Sequence, residues 1–398
     1  ALPLQEEAHD LCRALLGHDH PVTLSAANNL GLLYRRLGRF DAARALYEET
    51  LATRQRTLGD EHPDTLVSLN NLAHLYRALG RYQESADLHA RTLATRRRVL
   101  TEQHPHTAMS MDNLAMLLSD LERFDEAEAL YVEALEHKRS IYGADGPETL
   151  VTQNNLARNY TRQGRLDEAV RLHEENLAAR RRVLGNDHPN TLVSLSDLGV
   201  AYRAQGRLAE AEQLHREALD GHRRALGDEH PDTLRALNNL ALLIWEQGRL
   251  ADAEPLLEAS LAGSRRVLGD DHPDTLSVLN NLGVLLRELG RAADGEGLGA
   301  EAARRAGRVL PAGSWETGVY LYQHARTLGA LERHADAEAG YLAAHEVLVA
   351  AMGERHARTR RCAQALAELY DAWHAADPER GFDAKAAEWH ARAAPAPP

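Results

Sequence analysis

The sequence predicts an all-α chain built as a solenoid of antiparallel helix pairs, and three observations carry that expectation. First, 398 residues are too many for one ordinary hydrophobic core, so the chain is either several domains or a stack that grows by adding units. Second, aromatics make up only 5% and phenylalanine only 3 residues, while Ala, Leu, Arg and Glu dominate. Those four lose least on entering a helix. Third, a His-Pro-x-Thr marker at His20-Pro21-Val22-Thr23 returns at His62-Pro63-Asp64-Thr65, 42 residues later. A fixed period of this size signals a repeat architecture.

The marker continues at His104-Pro105, at Gly146-Pro147 with Gly in place of His, and at His188-Pro189, His230-Pro231 and His272-Pro273. Its threonine outlasts the rest: Thr23, Thr65, Thr107, Thr149, Thr191, Thr233, Thr275, Thr317 and Thr359 keep the interval, so nine repeats are in register. Before them, Pro3 to Leu16 aligns with the second half of a repeat, Leu4 with Leu46 and Leu16-Gly17 with Leu58-Gly59. Within a repeat, the first helix is expected over Asp64 to Leu79, with Leu66, Leu69, Leu72, Ala73 and Tyr76 on one buried face. Gly80-Arg81 ends it. The second helix is expected over Tyr82 to Leu100, with Ala86, His89, Leu93, Val99 and Leu100 toward the neighbours. Proline suits the first turn that follows, where its missing N–H has no intrahelical partner, and the Asp and Thr beside it can accept from orphan N–H groups. Two such helices per repeat and one from the opening half repeat make 19 in all.

These residues resemble the tetratricopeptide signature W-x2-L-G-x2-Y…A-x3-F. The first repeat supplies Leu30, Gly31, Tyr34, Ala43 and Tyr47, with Ala27 at the Trp position; the fifth supplies Leu198, Gly199, Tyr202, Ala211 and His215. The 42-residue unit, with its Asn-Asn-Leu-Ala and Arg-Arg-Val-Leu-Gly phrases, is similar to the repeats of kinesin light chains and nephrocystin, and to the repeat arms of bacterial STAND-type ATPases. The likeness covers roughly residues 3 to 394. It implies a right-handed superhelix with the first helices lining a concave face. The domains expected are the second helix of a truncated repeat over 1–17, regular repeats over 18–290, degenerate repeats over 291–376, and a capping helix (Phe382 to Arg392) with a tail over 377–398. Gly295, Gly297 and Gly299 are expected to weaken the second helix of repeat seven, and Ala393 to Pro398 to be helix-incompatible. With no cap before Leu4, the natural protein is expected to continue N-terminally, where further domains are possible.

Each first helix carries a polar pair: Asn28-Asn29, Asn70-Asn71, Asp112-Asn113, Asn154-Asn155, Ser196-Asp197, Asn238-Asn239 and Asn280-Asn281. Asn forms helices poorly, so its recurrence in mid-helix needs a reason. Arg35 lies on the same stripe as Asn28, and the equivalent positions are Arg77, Ser119, Thr161, Arg203, Trp245 and Arg287. A groove lined by these groups offers carboxamides to a peptide backbone and guanidinium groups to carboxylates. By resemblance to kinesin-light-chain grooves, Asn70, Asn71, Asn154, Asn155, Arg77, Arg158 and Arg203 are the matching positions; His74, Asn113, Arg162, Asn238, Asn239, Asn280, Asn281 and Arg287 complete the candidate surface. The competing reading is that the Asn side chains bond to adjacent repeats and hold the stack together, above all the second Asn of each pair, placed nearer the buried side.

Other chemistries find less support. Marker histidines sit a full repeat apart, without metal-ligand spacing; His89, His173 and His215 fall at the signature Phe position and read as packing residues, and His18-Asp19-His20 as a solvated loop. Runs such as Arg96-Arg97-Arg98 and Arg180-Arg181-Arg182 close second helices, where the helix dipole favours cations. A net charge of −13 argues against a nucleic-acid footprint. Cys12 and Cys362 read as free thiols of a reducing cytosol, no signal peptide or membrane-length apolar run occurs, and 44 arginines against 2 lysines point to a high-GC bacterial genome. No catalytic motif, cofactor site or metal site is legible. The expectation is a cytoplasmic, non-enzymatic scaffold binding an extended, acidic peptide. The alternatives are the sensor or autoinhibitory arm of a larger STAND-type ATPase and, after that, an RNA-binding solenoid.

Overall fold

The structure, a computed structural model, describes residues 2–311 and 313–394. Among them are nineteen α-helices and no strand. The part of the expected helix-incompatible tail beyond Ala394 lies outside the described residues. The chain forms two compact units, residues 1–227 and 228–398.

The first unit opens with α1 (Leu2–Leu16), followed by α2 (Pro21–Arg36) with α3 (Phe40–Leu58), α4 (Pro63–Ala78) with α5 (Tyr82–Leu100), and α6 (Pro105–Asp120) with α7 (Phe124–Tyr142). It continues through α8 (Pro147–Gln163) with α9 (Leu166–Leu184) and α10 (Pro189–Ala204) with α11 (Leu208–Leu226). The second unit comprises α12 (Pro231–Glu246) with α13 (Leu250–Val267), α14 (Pro273–Glu288) with α15 (Ala292–Val309), α16 (Trp315–Ala330) with α17 (His334–Met352), and α18 (Ala357–Ala376) with α19 (Phe382–Ala393), the last two joined by a short 3₁₀ turn at Pro378–Arg380. Each helix packs on its sequence neighbours within its unit, and first helices also touch those of adjacent repeats, as α6 touches α8 and α14 touches α16. They form the layer on which the candidate groove residues lie.

The helix starts are built differently from the sequence expectation. The marker histidine itself is the cap: Nδ1 of His20, His62, His104, His188, His230, His272 and His356 accepts from the backbone N–H two residues on. Nor does the threonine accept from an N–H. Its hydroxyl donates to the carbonyl six residues earlier, which ends the preceding helix: Thr23 to Gly17, Thr65 to Gly59, Thr107 to Thr101, Thr149 to Gly143 and Thr191 to Gly185, each at 2.8 Å. One side chain thus satisfies an orphan carbonyl and pins the turn between repeats. In the fourth repeat a side chain is excluded, because a Cβ at Gly146 would lie 2.6 Å from the Tyr142 carbonyl oxygen.

The core follows the expected stripe, with Leu66, Leu69, Leu72 and Ala73 buried in α4. On α5, Ala86, His89 and Leu93 are buried as expected, but Val99 is 43% exposed and Arg96 only 2%. The glycines of repeat seven do not interrupt α15. Gly295 is buried against Gly283, where an added Cβ would meet the Gly283 carbonyl at 2.6 Å, so two helix backbones cross closely there. Ala393 is the last residue of α19 and not part of a broken tail.

Candidate functional site

The recurring carboxamides form a ladder across the first helices. Asn71 Nδ2 donates to Asn28 Oδ1 at 2.8 Å, Asn113 to Asn70 at 2.8 Å, and Asn281 to Asn238 at 3.2 Å. Asn154 donates to Asp197 at 2.6 Å. Each rung joins the first residue of one pair to the second residue of the next, so both members take part. In no pair is the second member buried while the first is not, contrary to the sequence reading: Asn154 is 4% exposed and Asn280 9%, whereas Asn155 and Asn281 are half-buried, and in Asn70-Asn71 and Asn238-Asn239 both are half-buried. Asn70 and Asn154, candidates for the groove, are rungs that each contribute about 1 kcal/mol to the stack.

A second set of inter-repeat bonds explains the arginine runs. The first arginine of Arg96–Arg98 and of Arg180–Arg182, and Arg54 at the same place in repeat one, is buried and reaches from its second helix into the next repeat's first turn. Arg54 donates to the Asp64 carbonyl (2.9 Å) and Ser68 Oγ (2.9 Å), Arg96 to the His106 carbonyl (3.0 Å) and Ser110 Oγ (2.8 Å), and Arg180 to the Asn190 carbonyl (2.6 Å) and Ser194 Oγ (2.7 Å). Burial lowers the pKa of all three, Arg180 to about 10. In the third repeat Lys138 takes this place, bonded to Thr152 Oγ1 (2.9 Å) and to the Asp112 carboxylate. Burial pushes the Asp112 carboxyl up, against the pull of Lys138. The remaining arginines of the runs pair with acids: Arg97 with Glu133, Arg98 with Glu61, Arg181 with Glu217 and Arg182 with Asp145. These specific bonds, more than the helix dipole, account for the runs.

On the first-helix layer of repeats two to four, Arg77, Arg158 and Arg162 converge on a small cleft bordered by Tyr131 and Asn155. Asp120 bridges two of them, accepting from Arg77 Nε at 2.5 Å and from Arg162 Nη1 at 2.7 Å. Arg158 is 56% exposed and its nearest acid, Asp197, is 3.9 Å away. Asn155 has no hydrogen-bond partner among the described residues, because Asp112, at the rung position before it, is turned to Lys138 and Thr152. Sequence reasoning found the arginines and placed Asp197 in a polar pair without its ionic role, and it missed Asp120; these are the carboxylates that organise the arginines. An acid at each position is the only signal the sequence carried.

The other candidates are dispersed. His74 packs edge-on against His89 at 5.1 Å, and burial lowers its pKa to about 4. Arg35 lies half-buried beside Tyr47, Arg203 is exposed on α10, Asn239 borders a separate cavity in the second unit, and Arg287 donates to the Gln323 carbonyl and Oε1. His18 and Asp19 are drawn to Glu49 and Arg56, while His89, His173 and His215 are buried packing residues. Glu102, Glu133 and His137 come within 4.8 Å of one another, but Arg97 reaches both carboxylates and already supplies the positive charge. No helix among the described residues is long and apolar enough to cross a membrane.

The family model for the tetratricopeptide repeat matches residues 1–56, 23–98, 64–140, 106–175, 148–224, 201–254 and 232–306. No curated protein matches the chain. Among solved structures, a putative kinesin light chain with nearly identical repeats from Podosopora anserina is 30% identical over 52% of this chain and 99% of its own (TM-score 0.44). BtubC (BKLC) from P. vanneervenii is 28% identical over 58% of this chain and 92% of its own (TM-score 0.47). The apo quorum sensor NprR from B. thuringiensis shares the fold at 18% identity over 87% of this chain and 97% of its own (TM-score 0.56).

Proposed function

Since the chain belongs to the tetratricopeptide repeat family, whose repeats are those of protein-interaction scaffolds, we propose that its first-helix face binds an extended, acidic polypeptide segment at the Arg77–Arg158–Arg162 cleft. One observation carries the reading: Asn155 faces the cleft without a partner among the described residues and Arg158 is exposed beside it with only the 3.9 Å contact to Asp197, while Arg77 and Arg162 are bonded to Asp120. Asn155 can both donate to and accept from a peptide backbone, and Arg158 supplies a fork of donors for a carboxylate. Asp120 and Asp197 hold the arginines in place and set the requirement that an incoming acid dock beside them without displacing either. The ladder residues Asn28, Asn70, Asn71, Asn113 and Asn154 support this surface from within.

A pull-down with the chain as bait, followed by mass spectrometry, identifies the partner, and an Asn155→Ala, Arg158→Ala double variant then tests the site. Neither residue is part of a rung, so the melting temperature should stay close to the parent's. Partner affinity should fall at least about tenfold, from the loss of a hydrogen bond to a charged group, and parental binding should weaken as salt rises. Parental affinity in the double variant removes the cleft from the interface.

A further inference from the structure

The buried cation of repeats one to four has a fixed address, and the later repeats have replaced it. Stepping from Arg54 by 42 residues gives Arg96, Lys138 and Arg180, each facing a hydroxyl 14 residues on: Ser68, Ser110, Thr152 and Ser194. In repeat five the same two addresses hold His222 and Ala236, and in repeats seven and eight they hold Ala306 with Tyr320 and Leu348 with Cys362, all buried. Repeat six has neither. Ser264 stands where the arginine stood and Val278 where the hydroxyl stood, and the volume between them is a cavity of about 190 Å³.

Its lining is that of an arginine site without the arginine. Asp274 corresponds to Asp64, whose carbonyl receives Arg54, and Leu234 corresponds to Leu150, whose carbonyl receives Arg180 Nη2 at 3.1 Å. Asn238 and Asn239 add carboxamide oxygens, and buried Ser260 donates to the Leu234 carbonyl at 2.9 Å. Arg235, which lines the cavity in place of Ser25, is paired with Asp232 at 2.6 Å, and Asp274, exposed, adds a carboxylate to the lining. The otherwise neutral walls are no obstacle. Arg54, Arg96 and Arg180 are all bound mainly by carbonyl and hydroxyl oxygens.

We propose that this cavity is a receptor for a guanidinium group on a short alkyl stem, presented as an arginine side chain by a partner polypeptide. The site is in the second unit and does not depend on the Arg158 cleft.

The probes are propylguanidinium, its neutral isostere propylurea, and an uncharged peptide with one central arginine, each titrated into the full chain while the Asn238 and Asn239 side-chain amide resonances are followed by NMR. Propylguanidinium and the peptide should give saturable shifts in the low-millimolar range, and propylurea none. Ser264→Arg restores the missing cation and should raise the melting temperature by a few degrees while abolishing the shifts; Ser264→Leu, which imitates Leu348, should abolish them as well. Arg158→Ala should leave them unchanged. Shifts from the small probe alone would keep the guanidinium site but assign it to a free small molecule. Equal response to propylurea, persistence of the shifts in both filled variants, or no response at all would overturn the proposal.

Discussion

A β-branched residue at φ +100° is held against its own steric preference, and Thr101 is in that state, at the turn where repeats one, three, four, five, six and eight place glycine. Its carbonyl is still needed, because it receives the Thr107 hydroxyl. Thr101→Gly keeps that carbonyl and removes the clash, so it should stabilise the chain by about 1 kcal/mol, read as a higher urea midpoint at unchanged slope; an unchanged or lower midpoint would show that the turn carries no strain. At this scale the sequence was informative about position and poor about role. The histidines at helix starts and the threonines beside them were visible, but which accepts and which donates depends on where the preceding helix ends. Gly146 stood out as an exception, and its reason, the Tyr142 carbonyl, is a contact no single sequence displays.

Between elements, the hydroxyl-to-carbonyl latch at each second-to-first helix turn sets where one helix stops and the next begins. Thr65→Val keeps shape and volume and deletes only the bond to Gly59, so it should cost about 1 kcal/mol by urea denaturation, as should loss of the His62 cap in His62→Ala. Thr65→Val at parental stability would mean that water replaces the latch at no cost. Helix boundaries were the most legible part of the fold: the second helix expected over Tyr82 to Leu100 is α5 itself, and the first helix is displaced by one residue at each end. The buried cations were misread because a charged residue near a helix end has a ready local explanation in the dipole, while its actual partners lie 10 and 14 residues further on. A usable signal was present: cation and hydroxyl occur together at Arg54/Ser68 through Arg180/Ser194 and are both gone at Ser264/Val278.

The 42-residue period was enough to give the fold class of the whole chain, because each repeat meets its neighbours through the same surfaces. It was not enough to locate the cleft, which exists where the repeats depart from one another, at Asp112, Asp120 and Arg158. Buried histidines should make the first unit acid-sensitive. Burial lowers the pKa of His74, His173 and His215 to about 4 and of His89 to about 3. Below the unfolded value near 6.5 the unfolded chain therefore binds protons that the folded chain refuses, and stability falls as pH drops from about 6.5 toward 4. Each histidine adds a slope of at most about 1.4 kcal/mol per pH unit. Replacing His89, His173 and His215 together by Phe, the signature residue at this position, should flatten the melting temperature between pH 7 and pH 5; the same slope in the triple variant would place the sensitivity elsewhere. The latches, rungs and buried cations of the regular repeats all end in the adjacent repeat. Excision of the 42 residues between Gly59 and Glu102 would set Thr107 opposite the Gly59 carbonyl, Arg54 opposite Ser110 and Asn28 opposite Asn113, like for like. Unequal recombination can therefore shorten or lengthen this chain in whole steps without stranding a donor, and its length is a quantity that inheritance can adjust one repeat at a time.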